Sequence, residues 1–91
     1  MFSLYFSKHE FERSKTAKRL RIDNSLTHMA SSNIQYLVDN LLHPLRKILM
    51  RPIHITSGYR CPELNTAVRG SATSAHMIGQ AADIKVDGMS A

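Results

Sequence analysis

Ninety-one residues suffice for one small domain, near the size at which a single core gives only modest stability. A hydrophobic fraction of 43% with 21% charged residues marks an ordinary globular chain rather than a disordered one, and the lone Cys61 excludes an intrachain disulfide. No apolar run reaches membrane-spanning length, and the N-terminus lacks a basic stretch leading into an apolar one, so neither an anchor nor a secretory leader is expected.

The formal charge of +5 and a pI near 9.8 favour polyanionic partners by non-specific attraction. Lys8, Arg13, Lys15, Lys18, Arg19 and Arg21 concentrate this charge early, interleaved with Glu10, Glu12 and Asp23. No recognition-helix or stacking pattern accompanies them, so they read as a solvated helix face, not a specific nucleic-acid arm. Ser7-Lys-His-Glu10 has the form of a capping box, with Phe6 and Phe11 placed as a hydrophobic staple. Ser14 caps a second short helix over Lys15 to Leu20, and Asp23-Asn24-Ser25 supplies turn chemistry.

The longest helix is expected from Ser31 or Ser32 to about Leu49. Ile34, Leu37, Val38, Leu41, Leu42, Leu45, Ile48 and Leu49 make one apolar stripe along it. Pro44 removes a backbone donor inside this pattern and predicts a kink or break near Asp39 to Leu42. After Arg51-Pro52, Ile53-His54-Ile55-Thr56-Ser57 alternates as a strand, with His54 and Thr56 on its polar face. Pro62 opens a helix to about Val68 that packs Leu64 and Val68 inward. A small-residue loop, Arg69 to Ser74, follows. The second strand is expected over Ala81 to Val86, with Ala82, Ile84 and Val86 on its apolar face and Asp83 and Lys85 opposite. Asp87-Gly88 is a turn. With no repeat, low-complexity tract or linker, residues 1–91 read as one α+β domain. Residues 1–50 form a helical lead-in, and 51–91 a strand–helix–loop–strand unit.

The chemistry concentrates in Ser74-Ala-His76-Met-Ile-Gly79-Gln-Ala-Ala-Asp83. Imidazole nitrogen and carboxylate oxygen are both good zinc ligands. On a helix, positions seven apart stand roughly 10 Å apart, a long reach for one ion. A turn at Gly79 through positive φ makes the approach workable. The stretch therefore reads as half of a metal site.

Ser57-Gly58-Tyr59-Arg60, then Asn65, then Ser74-x-His76-x-x-Gly79-x-Ala81-x-Asp83 resembles the signature of the zinc D-alanyl-D-alanine carboxypeptidases. That group includes VanY- and VanX-type enzymes and phage endolysin peptidases. Ser14 to Leu20 and Ile22-Asp23-Asn24 look like the helical lead-in of its small members. The resemblance implies a hedgehog-type α+β fold, with N-terminal helices packed on a small, mainly antiparallel sheet. It makes His76 and Asp83 two of three protein zinc ligands, and it sets Arg60 on the substrate carbonyl or terminal carboxylate and Ser74 near the scissile bond. The implied reaction is zinc-dependent hydrolysis of peptidoglycan stem peptides, with action at the cell wall after cytoplasmic synthesis.

The sequence also departs from the family pattern. The third zinc ligand, a downstream histidine, and the glutamate base before it have no counterpart after Asp83. His9, His28, His43 and His54 match no ligand position. Cys61 stands where serine is common, and Arg69 where glycine is common. The expectation is a C-terminally truncated peptidase domain, inactive alone, that binds zinc weakly or not at all and leaves its second strand with an open edge. Two alternatives stand below it, a non-catalytic cell-wall peptide-binding module and, last, a basic nucleic-acid-binding domain.

Overall fold

The computed structural model describes residues 2–88. Two short helices open the chain, α1 (Lys8–Glu12) and α2 (Lys15–Leu20). Glu10 reaches back to accept from the Ser7 amide at 3.0 Å, and Phe6 and Phe11 close the staple as fully buried rings. Ser14 accepts from the Ala17 amide at 3.1 Å and starts α2, so the segment is two helices with a bend, as the two serines predict. The following turn is drawn tight by Ser25. Its hydroxyl and then its amide hydrogen-bond Asp23 and hold that carboxyl below its ordinary pKa.

The long helix starts earlier than expected. α3 runs His28–Leu37, capped by Thr27, whose hydroxyl accepts from the Ala30 amide at 3.1 Å. It continues through one π-helical turn, Val38–Leu42, into α4 (His43–Leu49). The irregularity falls where Pro44 predicts it and takes the form of a wider turn rather than a break. The His43 amide reaches back to the Val38 carbonyl, a five-residue step. That turn also explains why the apolar stripe is not buried throughout. Ile34, Val38 and Leu42 stay aligned on the core, while Leu41 is 53% exposed and Ile48 77% exposed.

Strand β1 (Ile53–Ser57) alternates as its sequence dictates, Ile53 and Ile55 buried, His54 and Thr56 exposed. Helix α5 (Pro62–Ala67) places Pro62 at its first position and buries Leu64, but Val68 lies just beyond its end and is 38% exposed, not packed inward. The chain leaves α5 through a Schellman-type closure. Gly70 bonds back to the Asn65 carbonyl and Arg69 to the Thr66 carbonyl, with Arg69 at φ 59°. Strand β2 (Asp83–Val86) is two residues shorter at its start than the sequence suggests. It pairs antiparallel with β1, Ile53 opposite Val86 and Ile55 opposite Ile84, with an irregularity before Ser57 meets Asp83.

The sheet has these two strands only, among the described residues, so β2 has one edge unpaired. Ile84, on the face expected to be apolar, is 39% exposed. The core is a single cluster that joins Phe6 and Phe11 to Ala30, Ile34, Val38 and Leu42 of the long helix and to Ile53, Ile55 and Tyr59. Burying each large side chain stabilises the fold by about 1.5–3 kcal/mol. Among the described residues, no helix is long and apolar enough to cross a membrane.

Candidate metal and substrate site

The segment leaving β1 is held from both sides. Gly58 presses on α1 so closely that a Cβ there would stand 2.7 Å from the Phe11 Cα, and the Tyr59 amide donates to the Phe11 carbonyl at 2.8 Å. Asn24 completes the clamp. Its buried side chain donates to the Glu12 carbonyl at 2.8 Å and the Tyr59 carbonyl at 2.9 Å, and accepts from the Cys61 amide at 2.8 Å. Arg60 lies between the two clamped positions. Sequence reasoning assigned Asn24 only to a turn; nothing local in its neighbourhood signals a partner 35 residues away.

His76 sits on a 3₁₀ turn, Ala75–Ile78, that Ser74 caps by accepting from the His76 amide at 3.2 Å. The turn ends at Gly79 with φ 77°, the left-handed geometry the spacing requires. Gly79 is also confined by α3, where a Cβ would meet the Ala30 carbonyl oxygen at 2.4 Å. The chain therefore reverses there and brings the start of β2 back towards the histidine.

The His76 ring is buried, and its Nδ1 lies 2.7 Å from the Gly58 carbonyl. A carbonyl can only accept, so in the neutral ring Nδ1 carries the proton and Nε2 keeps its lone pair. That Nε2 stands 3.7 Å from Asp83 Oδ2. Two ligands on one tetrahedral zinc ion, each about 2.0–2.2 Å from it, stand roughly 3.4 Å apart. The donor types, the tautomer and the spacing all fit such an ion. The Nδ1–carbonyl bond is the usual outer support of a ligating histidine. Asp83, with 66% of its side chain exposed, is open to an incoming group.

The sequence-chosen residues converge. The Arg60 amide donates to the His76 carbonyl at 3.1 Å, and its guanidinium donates to Ser74 Oγ at 3.3 Å. The Ser74 hydroxyl thus accepts twice and keeps its own proton to donate. The buried Nε of Arg60 has no partner among the described residues. Asn65 sets the loop upstream, donating to the Ser71 carbonyl at 2.8 Å. His54 stands apart. It contacts Asp87 at 2.8 Å, with both side chains at least half exposed. That is a direct hydrogen-bond distance, with no room for an ion between the two groups. Among the described residues no set of three metal-ligating side chains converges.

Comparison with curated proteins and with solved structures finds no match. The family model of Peptidase M15 does match, over residues 4–91, and so spans the helical lead-in, the clamped Arg60 segment and the His76–Asp83 pair together. The chain belongs to the Peptidase M15 family, a family of generally zinc-dependent peptidases.

Proposed function

We propose that this chain carries the ligand-presenting half of a zinc peptidase site directed at cell-wall stem peptides. The observation that supports it most is the buried His76 ring, tied through Nδ1 to the Gly58 carbonyl with Nε2 3.7 Å from the Asp83 carboxylate. In this reading His76 Nε2 and Asp83 Oδ2 hold the ion. Zinc, when bound, supplies a Lewis acid that polarises a carbonyl and acidifies water.

The chain's own residues supply the rest. Gly58 fixes the ring, and the 3₁₀ turn fixes its height over β2. Arg60, half-buried and tied to Ser74 Oγ, brings its planar guanidinium to a carboxylate or a developing oxyanion. Ser74 offers its hydroxyl proton beside it. A third protein ligand and a general base must come from residues other than these, so this half-site alone binds zinc weakly and does not turn peptide over.

Calorimetric titration with zinc tests the assignment. Binding should be weak, absent in His76→Ala and in Asp83→Ala, and unchanged in His54→Ala, which removes the other histidine–carboxylate pair. Binding that survives His76→Ala and disappears with His54→Ala would place the ion at the wrong pair. Hydrolysis of a D-Ala-D-Ala peptide by the purified chain, lost in both site variants, would refute the requirement for a further ligand and base.

A further inference from the structure

A groove of about 840 Å³ runs between α1, α2 and β1. Its basic side chains are Arg13, Lys15, Lys18 and Arg60, with His9 and His54, and among the described residues no carboxylate lines it. The acids interleaved with these cations in the sequence thus face elsewhere. Glu12 turns to the Leu26 amide at 2.7 Å, and Glu10 is used by the cap. A helix face that reads as evenly mixed in one dimension is single-signed where it meets β1, which focuses attraction for anions.

The groove has a second property. Every residue from His54 to Arg60 lines it, so it follows the main chain of β1 and its exit rather than one face of the strand. β1 pairs with β2 along one edge, and no strand takes the other among the described residues. On that side Arg13 donates to the Ile55 carbonyl at 3.3 Å, a side-chain bond that a peptide amide on this edge would replace. Val68, 38% exposed, adds apolar surface at one end, while Ile55 and Leu64 are buried beneath the cations.

We propose that this groove binds an extended, carboxylate-bearing peptide laid along the free edge of β1, on a surface that adjoins the zinc site at Arg60 but does not include the His76–Asp83 pair. A strand edge supplies main-chain donors and acceptors, which a peptide backbone matches and a phosphodiester backbone does not. Among the described residues the lining also offers bases no exposed phenyl, phenol or indole ring to stack on. Tyr59, its only phenol or indole ring, is 3% exposed. On an extended peptide, acidic side chains at alternate positions would face the basic rim together, and the side chains between them would point away from it.

Fluorescence anisotropy with a short labelled peptide alternating glutamate and valine tests this, in the presence of a metal chelator. The full chain should bind the peptide, and binding should weaken as salt rises. Replacing glutamate by glutamine, or methylating alternate backbone nitrogens, should each weaken it. Lys15→Gln/Lys18→Gln alters two exposed side chains and should lower affinity roughly three- to tenfold. Binding should persist with the metal chelated, which separates this surface from the zinc assignment. Equal binding of the glutamine peptide, indifference to backbone methylation, or full affinity in a folded double variant would overturn the proposal. So would an oligonucleotide of matched charge that outcompetes the peptide. The peptide and salt comparisons use the unmodified chain and stand even if the double variant does not fold.

Discussion

Asn24 makes the most demanding test of how the site is held. Its side chain bridges the end of α1 to the segment bearing Arg60 through three hydrogen bonds, at 2.8, 2.9 and 2.8 Å, in a buried position. Asn24→Ala leaves two carbonyls and one amide without these partners. At about 0.5–1.5 kcal/mol for each net hydrogen bond, the loss is about 1.5–4.5 kcal/mol, a large share of the roughly 5–15 kcal/mol that stabilises a small domain. Asn24→Asp is the sharper variant. It keeps the acceptor for Cys61 but turns a carboxylate towards the Tyr59 and Glu12 carbonyls. Those carbonyls favour the protonated acid, so the folded-state pKa of the new carboxyl is raised. Its contribution is then fully present below the ordinary carboxylate range and lost as pH rises through the folded value. Urea unfolding followed by circular dichroism reads both variants, and the amide shifts of Arg60 and Cys61 report the local change. A loss under about 0.5 kcal/mol in Asn24→Ala, with those shifts unmoved, would refute the clamp.

Arg69 adopts φ 59° at the close of α5, a conformation that disfavours any residue with a Cβ. Arg69→Gly should therefore raise the urea midpoint, with a gain of about 1 kcal/mol; no gain would mean the turn carries no such strain. Burial raises the Tyr59 phenol above its ordinary 10.0, with the neighbouring Cys61 adding to the shift and a hydrogen bond with Thr27 partly opposing it. The folded state holds this proton more tightly than the unfolded chain does. Its contribution is complete below pH 10 and lost as pH rises through the raised value, so alkaline unfolding titrations should show a decline that Tyr59→Phe blunts.

What the sequence could and could not reveal divides by range. The Ser7–Glu10 box, the Phe6–Phe11 staple, the Ser14 cap, the alternation of β1 and the positive φ at Gly79 are all local, and each is present. Pro44 announced its irregularity because a missing amide acts within one helical turn. Thr27 was overlooked as a cap because no apolar periodicity begins at His28. Leu41 and Ile48 turned outward because a π turn shifts register, and regular spacing cannot anticipate that. Asn24 and the Gly58 carbonyl were missed for another reason. Their partners, Glu12, Tyr59, Cys61 and His76, lie 12 to 37 residues away. His76 and Asp83 were legible as a pair, but the bond that fixes the ring was not.

Nitrogen-15 NMR of the histidine rings during a zinc titration bears most directly on the central claim. Before zinc, His76 should show a protonated Nδ1 and a bare Nε2, as its bond to Gly58 requires. On adding zinc, His76 Nε2 alone should shift while Nδ1 keeps its proton, and Asp83→Ala should abolish the change. A proton found on Nε2 instead, or a zinc response confined to His54, would contradict the assignment of His76 and Asp83 as the zinc-holding pair.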